Sequence, residues 1–165
     1  MKQMELKMHD VKYIPPGTIV DFGALGGCIG IAMYSRKKGA AYACHLVEPS
    51  GGDILSLENM IKNAKSKLGD TSSLEVYVAG GASSTLEPKP ERKYFLKKRG
   101  DLREILKKRG FKNSKIWIKW SPENSWAELT LNVDNGETVL QISLYSQYKE
   151  DKTLYEGDLK KAPDF

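Results

Sequence analysis

Thr18-Ile-Val-Asp-Phe-Gly-Ala-Leu-Gly-Gly-Cys28 runs into Ile29-Gly-Ile-Ala-Met-Tyr34 and, after residues 35–39, into Ala40-Ala-Tyr-Ala-Cys-His-Leu-Val47; the reading of this stretch decides the fold. Ile29, Ile31 and Met33 alternate with Cys28, Gly30, Ala32 and Tyr34, the period-2 pattern of a half-buried strand, with Cys28 on the face of small residues. Residues 40–47 read as a second strand, with Ala41, Ala43, His45 and Val47 on one face and Tyr42, Cys44 and Leu46 on the other. Five connecting residues predict an antiparallel hairpin, which returns His45 to the neighbourhood of Cys28 and points Cys44 away from it.

A cysteine after a glycine-rich turn, with a histidine in reach, is a setting for thiol chemistry. The thiolate is the nucleophile, and a free thiol with a pKa of about 8.5 needs an imidazole or backbone N–H groups to lower it. Gly23, Gly26 and Gly27 are expected to adopt positive φ and aim N–H groups inward, as an oxyanion hole requires. The plainer account of the same residues is a small buried hydrophobe and a hydrogen-bonded strand histidine.

Leu25-Gly26-Gly27-Cys28, His45 with Pro49 four positions on, Gly51-Gly52, and the later Ala79-Gly80-Gly81-Ala82-Ser83 together resemble the CheD-type chemoreceptor glutamine deamidases, which carry a Gly-Leu-Gly-Ser-Cys turn, a His followed by Leu-Pro, and an Ala-Gly-Gly-Ala-Ser stretch. Leu-Gly-Gly-Cys is also similar to the Leu-Ser-Gly-Cys turn of the toxin deamidases, the cytotoxic necrotizing factors and the Burkholderia lethal factor. The likeness spans about residues 17–144. It implies a cysteine-hydrolase fold, Cys28 as nucleophile, His45 as base, Gly26 and Gly27 at the oxyanion, and Ser83 beside the substrate amide. The family's threonine six residues before the cysteine is Phe22 here. Asp21, one step earlier, is a candidate to orient His45 as a third member; a backbone carbonyl is the alternative. The family's later Gly-Gly and Arg are replaced by Ser121-Pro-Glu-Asn-Ser-Trp126.

The 165 residues predict one domain, 1–165, with 1–16 as a polar lead-in and 148–165 as a loosely held tail. Two cysteines argue against a disulfide scaffold. No apolar run of membrane-spanning length and no signal-peptide pattern occurs, so the expected location is the cytoplasm, or a host cytosol reached as an effector without a Sec signal. His9 has no ligand-spaced partner; no metal or cofactor is expected.

Leu57, Met60, Ile61, Ala64 and Leu68 form a helical stripe, with Ser56 as cap and Gly69 as stop. Leu74, Val76 and Val78 mark a strand. Residues 89–119 hold 13 of the 26 basic residues and three acidic ones. Asp101 with Glu104 predicts a helix start, Leu102, Ile105 and Leu106 its buried stripe, and Arg99-Gly100-Asp101 the turn before it. Ile116, Ile118 and Trp120, then Ala127, Leu129, Leu131 and Val133, then Leu140, Ile142 and Leu144 after Asp134-Asn135-Gly136, read as antiparallel sheet.

The expected fold is therefore α+β, a β-sandwich or strongly bent mixed sheet flanked by helices. The expected function is hydrolysis of a glutamine side-chain amide on a protein partner, a chemoreceptor or a host signalling or translation protein, by a monomer or in a transient complex. A non-catalytic binding module working through the basic surface is the alternative. Nucleic acid ranks below an acidic protein as partner, because no binding motif or interleaved aromatics accompany the charge. No membrane insertion is expected.

Overall fold

The computed structural model describes residues 1–47, 51–145 and 152–165, with the backbone alone for residues 51–55. Its strands are β1 (Lys2–Glu5), β2 (Val11–Ile14), β3 (Thr18–Leu25), β4 (Ile29–Ser35), β5 (Ala40–Leu46), β6 (Glu75–Gly80), β7 (Ile116–Trp120), β8 (Ser125–Asn132), β9 (Glu137–Leu144) and β10 (Lys152–Gly157); helix α1 (Gly51–Leu68) follows β5 and α2 (Lys89–Lys108) follows β6. One sheet has the order β1-β3-β8-β9-β10, the other β2-β5-β4-β6-β7. Two pairings are parallel, β1 with β3 and β6 with β7, and the rest antiparallel. The fold is α+β, as expected.

Two apolar layers hold it together. Between the sheets, Val20, Phe22 and Leu25 of β3 and Leu129, Leu131, Leu140 and Ile142 of β8 and β9 meet Ala32, Tyr34, Ala43, Tyr77 and Ala79 of the second sheet. On that sheet's other side Ile29, Ile31, Met33, Cys44, Val76 and Val78 pack against Leu57, Met60, Ile61, Ala64 and Leu68 of α1 and Leu102 and Leu106 of α2. Each fully buried Val, Leu, Ile, Phe or Met among them contributes roughly 1.5–3 kcal/mol. Lying between the two layers, β4 and β5 are buried along their whole length. The alternation in β4 thus separates two cores, not a core from solvent.

The hairpin of β4 and β5 is antiparallel, with Gly30 opposite His45. The Asp134-Asn135-Gly136 turn joins β8 to β9 as expected, with Gly136 at φ 75°.

Five expectations are corrected. Strand β7 does not join β8 and β9 in an antiparallel sheet: it pairs in parallel with β6, at the edge of the other sheet. Residues 1–16 are not a lead-in: β1 extends the first sheet and β2 the second, each four residues long with largely exposed faces that leave little apolar pattern. The tail is held from Lys152 on, where β10 pairs with β9 and Leu159 and Ala162 enter the inter-sheet core; residues 148–151 lie outside the described residues. Helix α1 begins at Gly51 and not after Ser56. Helix α2 begins at Lys89, twelve residues before Asp101, so Arg99-Gly100-Asp101 is helix and not turn. Phe95 joins Leu102 and Leu106 in its buried stripe, and the intervening Lys and Arg are good helix formers.

Candidate functional site

Cys28 sits one residue before β4, half-buried, packed against the inter-sheet core; neither it nor the buried Cys44 forms a disulfide. Its carbonyl accepts from Gly81 N–H at 2.9 Å, and Gly26 O accepts from Ala82 N–H at 2.9 Å, so the turn before β4 is clamped to the turn after β6. Gly80 and Gly81 make that clamp with φ of 92° and 67°. A side chain at Gly80 would run into the Cys28 carbonyl. The signal for Gly-Gly in the sequence is thus a backbone approach to the cysteine's own turn.

His45 faces Gly30 across the ladder. By alternation Cys28 is on the same face and is the diagonal neighbour of His45, a relation that spans roughly 7–8 Å and that long or aromatic side chains bridge. Cys44 points into the helix-side core. The expected pairing of faces therefore holds. The space above Gly30 is filled by Phe22 and Leu25 of β3, which brings β3 against the hairpin.

That approach supplies the orienting group. His45 Nδ1 lies 2.7 Å from the backbone oxygen of Phe22. A carbonyl only accepts, so Nδ1 carries the proton, and in the neutral ring Nε2 is the basic nitrogen. Nε2 is buried and makes no hydrogen bond among the described residues. The backbone of His45 is held too: its N–H donates to Asp10 O at 3.0 Å and its carbonyl accepts from His9 N–H at 2.9 Å. His9, at φ 72°, is part of this strap.

Asp21 is not the third member. Its side chain is exposed on the outer face of β3 and accepts from Gly23 N–H at 2.9 Å. Gly23, at φ 74°, makes a bulge in which Phe22 and Gly23 oppose Leu129 alone. The bulge shifts the alternation, so Phe22 and Leu25 both face inward, and the Phe22 carbonyl turns to His45. Gly26 and Gly27 do not adopt positive φ; among the three expected glycines only Gly23 does.

A groove of about 420 Å³ opens beside the cysteine's turn, lined by Gly26, Gly27, Ser83, Ser84, Asn124 and Tyr145 among others. Cys28, His45 and Asp21 are not in its lining. Ser83 is buried at one wall, and its carbonyl accepts from Asn124 N–H at 2.9 Å. Pro49 lies outside the described residues, and Gly51-Gly52 open α1.

Arg99 has no counterpart in the sequence reading of the site. Its guanidinium donates to Gly81 O at 2.7 Å and lies over the Trp120 ring, 5.3 Å from its centre. Burial disfavours its charge and holds its pKa below the ordinary arginine value. It braces the glycine turn that clamps Cys28. A half-buried arginine on an otherwise solvated basic helix has no sequence signature.

No protein-family model matches the chain, and no curated protein is similar to it. Among solved structures, that of Bacillus licheniformis hypothetical protein YfiH is similar, with a TM-score of 0.47 and 11% identity over 65% of this chain. The match takes in 49% of the length of that protein. At that TM-score the likeness supports neither a family nor a function. No helix among the described residues is long and apolar enough to cross a membrane.

Proposed function

We propose that this chain is a cysteine amidohydrolase that converts a glutamine side chain of a protein partner to glutamate. The observation that carries the reading is the 2.7 Å contact of His45 Nδ1 with the Phe22 carbonyl, which assigns the proton to Nδ1 and leaves Nε2 as the basic nitrogen, on the sheet face that Cys28 shares. The sequence likeness to CheD-type and toxin deamidases supports the amide as substrate and a protein as its carrier.

In this reading Nε2 takes the Cys28 thiol proton. The thiolate attacks the carboxamide carbon, and the new oxyanion is held by N–H groups of the Gly26-Gly27-Cys28 turn. Collapse breaks the C–N bond, and ammonia departs with the proton from Nε2. Water, deprotonated by the same nitrogen, attacks the thioester; the C–S bond breaks, the thiolate recovers the proton, and glutamate is released. The net reaction consumes one water and needs no oxidant, reductant or cofactor.

The test is mass spectrometry of chemoreceptor cytoplasmic domains, small GTPases and translation factors after incubation with the wild type and with Cys28→Ser. The expected result is a gain of about one dalton at a glutamine, absent with the variant. No gain on any of them, with Cys28 as slow as Cys44 toward a mild alkylator at neutral pH, overturns the reading and leaves the non-catalytic binding module.

A further inference from the structure

Helix α2 holds nine of the 26 basic residues and three of the 21 acidic ones, a net +6 in a chain of net +5, so the rest of the chain is at −1. The positive charge of this protein is therefore a property of one helix. That helix also borders the candidate site. Its chain enters from Ser84–Glu87, which line the groove; Arg92 pairs with Glu123 at 3.2 Å beside the groove's Asn124; Arg99 reaches Gly81.

The outward side of α2 is not charge alone. Tyr94 is 54% exposed and Leu96 39%, among Lys89, Lys93 and Lys97, and Leu86 at the groove's rim is 90% exposed. Phosphates would engage the lysines and leave the leucines in water. Carboxylates interspersed with apolar side chains would engage both, since apolar anchors ringed by charge are what protein interfaces desolvate. The groove itself offers backbone, hydroxyls and an amide, with Glu87 as its one carboxylate among the described residues, and so suits a neutral side chain.

We infer that α2 and the rim at Leu86 form a docking surface for an acidic, leucine-bearing segment of a partner protein. The inference rests on the deamidase reading only in making the docked chain the substrate.

The experiment measures binding by fluorescence anisotropy to four probes: an acidic peptide with spaced leucines and a central glutamine, the same peptide with serine for leucine, a single-stranded DNA oligonucleotide, and phosphatidylserine vesicles. The leucine peptide is expected to bind most tightly. Lys93→Glu with Lys97→Glu weakens it roughly tenfold or more, since like charges now oppose. Leu86→Ser with Leu96→Ser weakens it several-fold, by lost apolar burial. Lys37→Glu with Lys62→Glu, on other exposed parts of the fold, changes it by less than about twofold at ordinary salt. All these positions are surface-exposed, and circular dichroism checks that the variants fold. Tighter binding of DNA or vesicles, or equal losses from the Lys93/Lys97 pair and the Lys37/Lys62 pair, overturns the docking surface. A peptide that binds through Lys93 and Lys97 but keeps its glutamine supports docking and counts against the deamidase; one deamidated equally fast by the Lys93/Lys97 variant does the reverse.

Discussion

The group that orients His45 is neutral, and this separates the site from a carboxylate triad. A carbonyl fixes the tautomer and the ring plane, but it gives an imidazolium less electrostatic support than an anion would. Asp21→Asn should therefore keep activity within about twofold, because among the described residues the side chain binds only Gly23 N–H. A hundredfold loss in deamidation rate would restore Asp21 to the site. His45→Gln, which keeps a polar side chain but no titrating nitrogen, should abolish turnover while Cys28→Ser and His45→Gln both keep the far-UV spectrum of the wild type. Gly80→Ala should do the opposite. It forces a methyl against the Cys28 carbonyl at φ 92°, and a left-handed non-glycine costs of order 1–3 kcal/mol. Thermal unfolding of that variant should begin several degrees early, with activity lost in proportion to the displacement of Cys28.

At the scale of elements, what was legible in the sequence was what is two-sided or strongly periodic. Strands β4 and β5 announced themselves through alternation and a short link, and α1 through Leu57, Met60, Ile61, Ala64 and Leu68, all nearly inaccessible in the fold. Strands β1, β2 and β10 were not legible, because a short strand with a solvated face owes its place to ladder hydrogen bonds and to the neighbour it completes. The start of α2 was hidden by its lysines, which fit a loop as readily as a helix until Phe95 is seen to pack. At the site, the faces of Cys28, His45 and Cys44 followed from period 2. The Phe22 carbonyl did not, since it depends on a bulge that only pairing with β8 reveals. Leu106→Ala tests the α2 assignment: it should cost about 2–5 kcal/mol by denaturant unfolding. A cost below about 0.5 kcal/mol, the range of surface substitutions, would mean that α2 does not seal the second core.

Across the whole molecule, the end of the sandwich opposite the cysteine is tied by one carboxylate. Burial alone would raise the Glu75 pKa. Hydrogen bonds from Arg36 at 3.0 and 3.1 Å, from Tyr77 at 3.0 Å and from Lys160 at 3.3 Å outweigh it and hold the pKa below the ordinary glutamate value. These partners come from the β4–β5 link, from β6 and from the segment after β10. A depressed native value means that the unfolded chain takes up the proton first. The stabilisation is in full force above the ordinary glutamate range, near pH 4.3, and drains away as pH falls through the lower native value. Urea midpoints between pH 7 and pH 3 should fall more steeply for the wild type than for Glu75→Gln, and parallel curves would show that the cluster contributes nothing to acid sensitivity. The Phe22 carbonyl over His45 has a different consequence. Strands β4 and β5 are joined by four residues and can pair early, whereas Phe22 belongs to β3 of the other sheet and meets His45 only when the two sheets close. In the deamidase reading, the thiol of a refolding molecule exists before its base is aimed, so a half-made molecule has no primed nucleophile to spend on its neighbours, and ammonia release should lag the return of secondary structure.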